Sequence, residues 1–135
     1  MYLEDIMTHS RLDLSQFESQ FEKDIVSFSQ GQQIFEEGET GNLMYLVKSG
    51  EVEILKKGKV IDHVSPGGVF GEMALIDMSP RSATARAKED CQLIPVDEFR
   101  FLFLVQHAPY FAIQVMGVLA ERIRTLMEIE AGSSD

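Results

Sequence analysis

The sequence predicts one mainly β domain with flanking helices. We expect an antiparallel β-roll of the jelly-roll, double-stranded β-helix type, with an N-terminal helix before it and two C-terminal helices after it. Short β-branched and aromatic runs fill residues 23–96, and glycine, proline or aspartate separates them. Apolar residues follow the helical spacing only at the two ends of the chain. Many short strands about 8 to 12 residues apart are typical of a barrel or jelly roll.

Residues 1–22 have the pattern of a helical region. Their apolar residues recur mostly at steps of three and four, with polar residues between them and a break near Ser10. We therefore predict helix at the N-terminus of the domain. The apolar positions are Leu3, Ile6, Met7, Leu12, Leu14, Phe17 and Phe21.

The middle of the chain, residues 23–96, divides into eight predicted strands. Their sequences are DIVSF, QQIF, LMYLV, EVEIL, KVIDHV, GGVF, TARA and QLIPV. In the fourth, Val52 and Ile54 alternate with Glu51 and Glu53, which predicts one face in the core and one in water. Gly58 lies in a KGK turn that predicts a hairpin with the fifth strand.

The helical spacing returns in residues 97–130. Asp97 is suited to cap the N-terminus of a helix that runs through Val105. Pro109 is suited to the first turn of a second helix, which we predict to end near Ile129, before the glycine and serines of the tail.

Composition and charge exclude several classes of function. The chain has 135 residues, of which 12 are basic and 22 acidic, so its formal charge is −10. This predicts a single domain over residues 1–135 that does not bind nucleic acid by itself, because phosphate backbones repel acidic surfaces. The sequence has no apolar stretch near the roughly 20 residues of a membrane span and no signal-peptide pattern. We therefore expect a cytoplasmic protein that does not enter the membrane through this chain alone.

Cysteine and histidine give no sign of a metal or catalytic site. Cys91 is the single cysteine, which excludes an internal disulfide, and we expect it to pack within a strand. His9, His63 and His107 are far apart and lack metal-ligand spacing. We predict no metal, no cofactor and no enzymatic activity, since no histidine belongs to a recognisable catalytic motif.

Residues 67–85 do not fit a plain barrel. Three glycines interrupt the strand pattern, the helix-forming run EMAL follows, and the strand pattern resumes only after a proline. Glycine lets a ligand approach the backbone closely. Arg81, Ser82 and the helix start could therefore hold a phosphate, while Glu72 accepts hydroxyl groups, as a ribose phosphate would require. A structural Glu72–Arg81 ion pair across a barrel corner explains the spacing equally well.

The run FGEMALIDMSPRSATA resembles the phosphate-binding cassette of cyclic nucleotide-binding domains, the superfamily of the catabolite activators and protein-kinase regulatory subunits. That cassette has the approximate pattern F-G-E-[ML]-A-L, a short spacer, then P-R-[ST]-A. The resemblance extends to the runs IFEEG and YLVKSGEV and to the two closing helices. It implies a β-roll with a helical subdomain that binds a cyclic nucleotide, with cAMP favoured and cGMP possible.

The resemblance also assigns roles within the cassette, residues 70–84. It implies that Gly71 and Glu72 contact the ribose 2′-hydroxyl and that Arg81 and Ser82 hold the cyclic phosphate. Ala83 would lie close to the phosphate, and backbone N–H groups near the helix start would add partial positive charge. The ligand-binding residues implied in the cassette are Phe70, Gly71, Glu72, Met73, Ala74, Arg81, Ser82 and Ala83.

The last helix differs from the activator pattern at the positions that would contact the nucleotide base. A Thr-Ser pair that reads adenine in the activators falls, by ungapped counting, on Leu126 and Met127. Arg122 and Arg124 could instead stack on the purine, or could simply be solvated charges, and Thr125 is a further candidate contact.

The last helix also carries two apolar rows. One is a seam of heptad spacing that either pairs with a second copy to form a homodimer through residues 109–130 or packs on the chain's own barrel. The second row is expected to face the β-roll. The seam is Ala112, Met116, Leu119, Ile123 and Leu126; the second row is Phe111, Val115 and Val118.

These features predict a sensor that moves its C-terminal helix when a cyclic nucleotide binds and that acts on an unknown downstream protein. Bacterial activators of this superfamily continue into a winged helix-turn-helix domain, which this sequence does not contain, so we expect no DNA reading by this chain alone. The alternative is a scaffold or protein-interaction domain that keeps the fold without physiological nucleotide binding.

Overall fold

The β-roll is built from eight short strands in a computed structural model that describes residues 21–133. Each predicted run forms one strand, so this part of the prediction is confirmed. The predicted helix over residues 1–22 lies outside the described residues except for its last two positions; Phe21 is followed by a 3-10 helix, Glu22–Asp24. The strands are β1 (Val26–Phe28), β2 (Gln33–Phe35), β3 (Met44–Ser49), β4 (Val52–Lys56), β5 (Lys59–Val64), β6 (Val69–Phe70), β7 (Thr84–Ala87) and β8 (Cys91–Val96).

The strands form two four-stranded antiparallel sheets with the orders β1-β8-β3-β6 and β2-β7-β4-β5. Strands that follow one another in sequence mostly lie in different sheets, as in a jelly roll. The exception is the predicted β4–β5 hairpin, which is confirmed: Lys57 and Gly58 both have positive φ, at 52° and 80°. Positive φ at both central positions is the geometry that suits the twist of a two-residue hairpin.

Three helices complete the described part of the chain: α1 (Glu72–Ile76) between β6 and β7, then α2 (Glu98–His107) and α3 (Tyr110–Ser133). Asp97 caps α2 as predicted, because its Oδ1 accepts a hydrogen bond of 2.8 Å from the Arg100 amide. Both closing helices end later than predicted. In residues 21–133, no single helix is both long and apolar enough to cross a membrane. The pair formed by α2 and the part of α3 up to Thr125 has the required length and composition, but the two helices meet at a bend of 116°.

Two apolar clusters lie on the two faces of the first sheet. One fills the space between the sheets, where Phe70 and Leu93 are fully buried and Cys91 packs in its strand as predicted. Burial raises the pKa of the Cys91 thiol. The other cluster joins the sheet to α2 and α3, and it contains the predicted barrel-facing residues Phe111 and Val115. The fold thus fastens α3 to the sheet that carries β6.

Candidate anion- and hydroxyl-binding site

The chain turns sharply between β6 and α1 at Gly71. This residue lies in the left-handed region, with φ 77° and ψ 14°, immediately before the first residue of α1. A Cβ atom here would lie 2.9 Å from Nη1 of Arg81 and 3.3 Å from a ring carbon of Phe35. Both the backbone conformation and the crowding therefore require glycine. The turn brings the start of α1 against the Arg81 side chain.

Arg81 is a buried cation, with 7% of the residue exposed. Its Nη1 donates a hydrogen bond of 3.1 Å to the carbonyl oxygen of Gly71, and its guanidinium carbon lies 4.0 Å from the centre of the Phe35 ring. Burial lowers the pKa of Arg81, an effect that Tyr45, Glu39 and Glu72 oppose by their charges. No carboxylate among the side chains that the structure describes forms an ion pair with this guanidinium.

Glu72, the first residue of α1, is a fully buried carboxylate with 0% of its surface exposed. Its Oε1 forms an ion pair with Nη1 of Arg122 on α3, and its Oε2 is buried without a hydrogen-bond partner. Desolvation raises the pKa of Glu72, while the nearby charge of Arg122 opposes this rise. The Glu72–Arg81 ion pair considered as the structural alternative is not formed. The Glu72 carboxylate pairs with Arg122 on α3 instead.

The other cassette residues surround this corner. Ala74 and Ala83 are buried, Met73 is half-buried, and Phe70 is fully buried in the core. Ser82 is exposed, and its carbonyl oxygen accepts a hydrogen bond of 2.7 Å from Lys56. The structure therefore brings a buried cation, a buried carboxylate and an exposed hydroxyl to one barrel corner, an arrangement suited to an anionic ligand that also carries a hydroxyl group.

Among the candidate side chains on α3 that the structure describes, Arg122 forms an ion pair with the cassette. The sequence predicted either stacking on the purine or a solvated charge for Arg122, and the structure shows an ion pair with Glu72 instead. Thr125 is exposed and donates from its hydroxyl to the carbonyl oxygen of Glu121 at 3.0 Å. Arg124 pairs with the same residue at 2.9 Å, and Met127 is exposed.

Sequence reasoning missed three residues at or near the corner. Phe35 and Gly41 contact Arg81 from β2 and from the loop after it. Gln114 on α3 donates to the carbonyl oxygen of Gly67, just before β6, at 2.6 Å. Gly38 and Gly41, which precede β3, were the only local signal of these contacts in the sequence, because the contacts join segments that are distant in sequence. No group of three or more histidine, cysteine or acidic residues is placed to hold a metal in the part of the chain that the structure describes.

The family model of the cyclic nucleotide-binding domain matches residues 25–108, which is more than half of the chain. The chain belongs to the cyclic nucleotide-binding domain family. The matched region includes the whole β-roll from Val26, the cassette and α2. The predicted family and fold class are thereby confirmed.

Curated relatives in this family are regulators. The chain is 35% identical over 102 residues to the cyclic AMP receptor protein of Thermus thermophilus, a match that covers 72% of this chain and 47% of that protein. It is 39% identical over 71 residues to the cAMP-dependent protein kinase regulatory subunit of Yarrowia lipolytica, which covers 53% of this chain and 19% of that protein. The chain thus matches about half, or less, of the length of these relatives.

Solved structures share the same cyclic nucleotide-binding fold. The Thermus thermophilus catabolite activator protein has a TM-score of 0.72 at 31% identity, covering 90% of this chain and 61% of that one. The EAL enzyme Bd1971 matches in its cAMP-bound form, with TM-score 0.56 and 35% identity, and in its cGMP-bound form, with TM-score 0.57 and 37% identity. Each Bd1971 match covers 77% of this chain and 29% of that one.

Proposed function

We propose that this domain binds cAMP, and cGMP less tightly, and that movement of α3 reports the bound nucleotide. The observation that carries the proposal is the buried guanidinium of Arg81, which has no ion-pair partner among the described carboxylate side chains. A buried charge without a counter-charge is unfavourable, and a cyclic phosphate supplies one negative charge.

The phosphate would accept hydrogen bonds from the N–H donors of Arg81 that the bond to Gly71 does not use. A guanidinium has five N–H donors, and the hydrogen bond to Gly71 uses one of them. The planar fork matches a pair of phosphate oxygens. Ser82 adds an exposed hydroxyl beside it, and the small side chain of Ala83 leaves space. Backbone N–H groups near Met73 supply further donors.

The ribose hydroxyl would donate to Oε2 of Glu72. This oxygen is buried and has no partner, whereas Oε1 is occupied by Arg122. A hydroxyl at Oε2 would satisfy an acceptor that otherwise lost its water on folding. Ligand and α3 would then share one carboxylate. This shared group gives a physical route from the bound ribose to the position of α3.

Arg122 is assigned here to Glu72 rather than to the face of the purine. The base would then be covered mainly by apolar contact from α3, because Thr125 bonds to its own helix. Apolar contact distinguishes adenine from guanine weakly. The preference for cAMP rests on the cassette sequence and on relatives whose names specify cAMP. The EAL enzyme Bd1971, which has solved structures in a cAMP-bound and a cGMP-bound form, is consistent with a small difference.

We also propose a homodimer through α3. Met116, Ile123 and Met127 are exposed and recur at steps of seven and four, so they share one face of the helix. Leu119 packs against the core instead. A second copy of the same helix would cover the exposed face. The predicted cytoplasmic location and the division into residues 1–22, 23–96 and 97–130 stay predictions.

Calorimetric titration of the purified chain with cAMP, cGMP and 5′-AMP tests the function. We expect both cyclic nucleotides to bind and 5′-AMP to bind much more weakly, because an open phosphate carries an extra charge and hydroxyl. Absence of binding by both cyclic nucleotides would favour the alternative, a scaffold domain that acts through protein contacts.

A further inference from the structure

We propose that Phe35 is a positioning residue of the phosphate site, whose ring holds the Arg81 guanidinium in place while Gly41 leaves the space that this side chain needs. The inference rests on the proposed function and names two residues outside the cassette. Neither residue would need to touch the nucleotide. Both would act through Arg81.

The sheet places Phe35 beside Arg81. Phe35 is the last residue of β2, which pairs antiparallel with β7, and it is opposite Ala85. Arg81 lies just before β7, so its side chain reaches the Phe35 ring, with 4.0 Å between the guanidinium carbon and the ring centre. That distance is within the range of a cation–π interaction.

The ring is itself held by two other aromatic side chains. Phe35 stacks on Tyr45 with 6.2 Å between ring centres and packs against Phe70 at 5.9 Å. Tyr45 and Phe70 stack on each other at 5.4 Å. These distances are typical of favourable aromatic pairs. The trio restricts the Phe35 ring, and therefore the plane in which the guanidinium can rest.

An aromatic partner suits a cation that must bind an anion later. A carboxylate would stabilise buried Arg81 but would cancel its charge and compete with phosphate for its N–H donors. The face of a ring attracts the cation without using a donor and without adding a negative charge. Phe35 thus offsets part of the cost of burying Arg81 and keeps the guanidinium ready for a phosphate.

Gly41 lies close to the guanidinium of Arg81. A Cβ atom at this position would lie 2.7 Å from Nη2, 2.9 Å from Nε and 3.0 Å from Cζ of Arg81. All three atoms belong to one flexible side chain, and Gly41 does not have positive φ. The backbone at position 41 therefore tolerates alanine, and the added methyl group would displace the guanidinium of Arg81.

The test compares Gly41→Ala and Phe35→Leu, each made alone and in an Arg81→Ala background. The dissociation constant for cAMP is measured by calorimetry, and the melting temperature without ligand is measured alongside. Gly117→Ala is the control for the glycine change, since nothing lies within 4 Å of its added Cβ. Phe28→Leu is the control for the ring, because Phe28 is also partly buried against the same core cluster but lies on β1.

We expect Gly41→Ala and Phe35→Leu each to weaken cAMP binding by about tenfold, while both controls keep the wild-type affinity. Neither change should weaken binding further once Arg81 is alanine, because a positioning residue has nothing left to position. Unchanged affinity in the single variants, or an equal loss with and without Arg81, would overturn the inference. Failure of the wild type to bind cAMP and cGMP would instead overturn the proposed function, and the inference with it.

Discussion

The buried carboxylate of Glu72 forms its ion pair with Arg122, fifty positions further along the chain, and not with Arg81. This pairing leaves the guanidinium of Arg81 without an ion-pair partner among the described side chains and gives α3 a direct contact with the cassette. In the proposed function these two buried charges have different roles: Arg81 binds the anion, while Glu72 links the site to the last helix.

Arg81→Ala is expected to weaken cAMP binding roughly 100-fold, equivalent to about 3 kcal/mol, because it removes the charge-assisted contact to the phosphate. The melting temperature without ligand should change little, since the substitution also removes a desolvated charge. Calorimetry measures the loss. Arg86→Ala is the matched control: that arginine pairs with Glu53 at 2.6 Å and should not affect affinity. Equal affinity of the wild type and Arg81→Ala would contradict the phosphate role.

Arg122→Ala is expected to lower the free energy of unfolding by about 1–2 kcal/mol without ligand, because it leaves the Glu72 carboxylate buried and unpaired. The half-exposed position of Arg122 keeps the effect below that of a fully buried pair. With Glu72→Gln already present, the same change should cost only a few tenths of a kcal/mol. Urea unfolding of the four proteins measures both values. Arg124→Ala, which breaks an exposed pair, should have a small effect in either background.

Glu72→Gln is expected to raise the melting temperature of the ligand-free protein at neutral pH while weakening cAMP binding. Burial raises the pKa of Glu72 above its ordinary value of 4.5, so the folded protein takes up this proton at a higher pH than the unfolded chain. Wild-type stability therefore falls as pH rises through the folded-state pKa. The advantage of Glu72→Gln should grow over that window and then level off. Thermal unfolding of both proteins from about pH 4 to about pH 8 measures the difference, and an advantage that shrinks with rising pH would refute it.

Base selectivity is expected to be small, with cAMP favoured over cGMP by no more than roughly tenfold, or about 1.4 kcal/mol. Ser82 is exposed, and in the proposed site its hydroxyl would bond the phosphate and would also reach the 2-amino group of a guanine. Ser82→Ala should therefore weaken cGMP binding more than cAMP binding. Competition titrations decide the matter. A preference beyond a hundredfold for either nucleotide would reveal a polar base contact, with Arg122, Arg124 and Thr125 the first residues to test.

Ile123→Glu is expected to convert a dimer into a monomer, because it would place an unpaired carboxylate in the interface between two α3 helices. Ile61→Glu on β5 is the matched control, since the two isoleucines are 57% and 56% exposed and undergo the same change. Light scattering at high protein concentration gives the mass of each protein. A monomeric wild type would end the dimer proposal.

The sequence predicted the β-roll well because its signals are local. Each of the eight short runs forms one strand, Asp97 caps its helix, and the EMAL run forms α1. The contacts of the site were harder to predict, because strand pairing and helix packing create them. No sequence pattern around Phe35 indicates that its ring contacts Arg81. Likewise, no sequence pattern around Arg122 indicates that it pairs with Glu72. Heptad spacing also left open whether Leu119 faces a second copy or the chain's own barrel, and the structure packs it on the core.

Two polar contacts fasten α3 to the chain on either side of β6. Gln114 bonds the carbonyl oxygen of Gly67 before the strand, and Arg122 pairs with Glu72 after it. If α3 detached between Gln114 and Arg122, the carbonyl oxygen of Gly67 and the buried carboxylate of Glu72 would both lose their partners. Detachment of this part of the helix is therefore unfavourable. We therefore expect β6 and the part of α3 between Gln114 and Arg122 to open as one foldon, with their amide hydrogens exchanging at a common rate that slows when the nucleotide is bound.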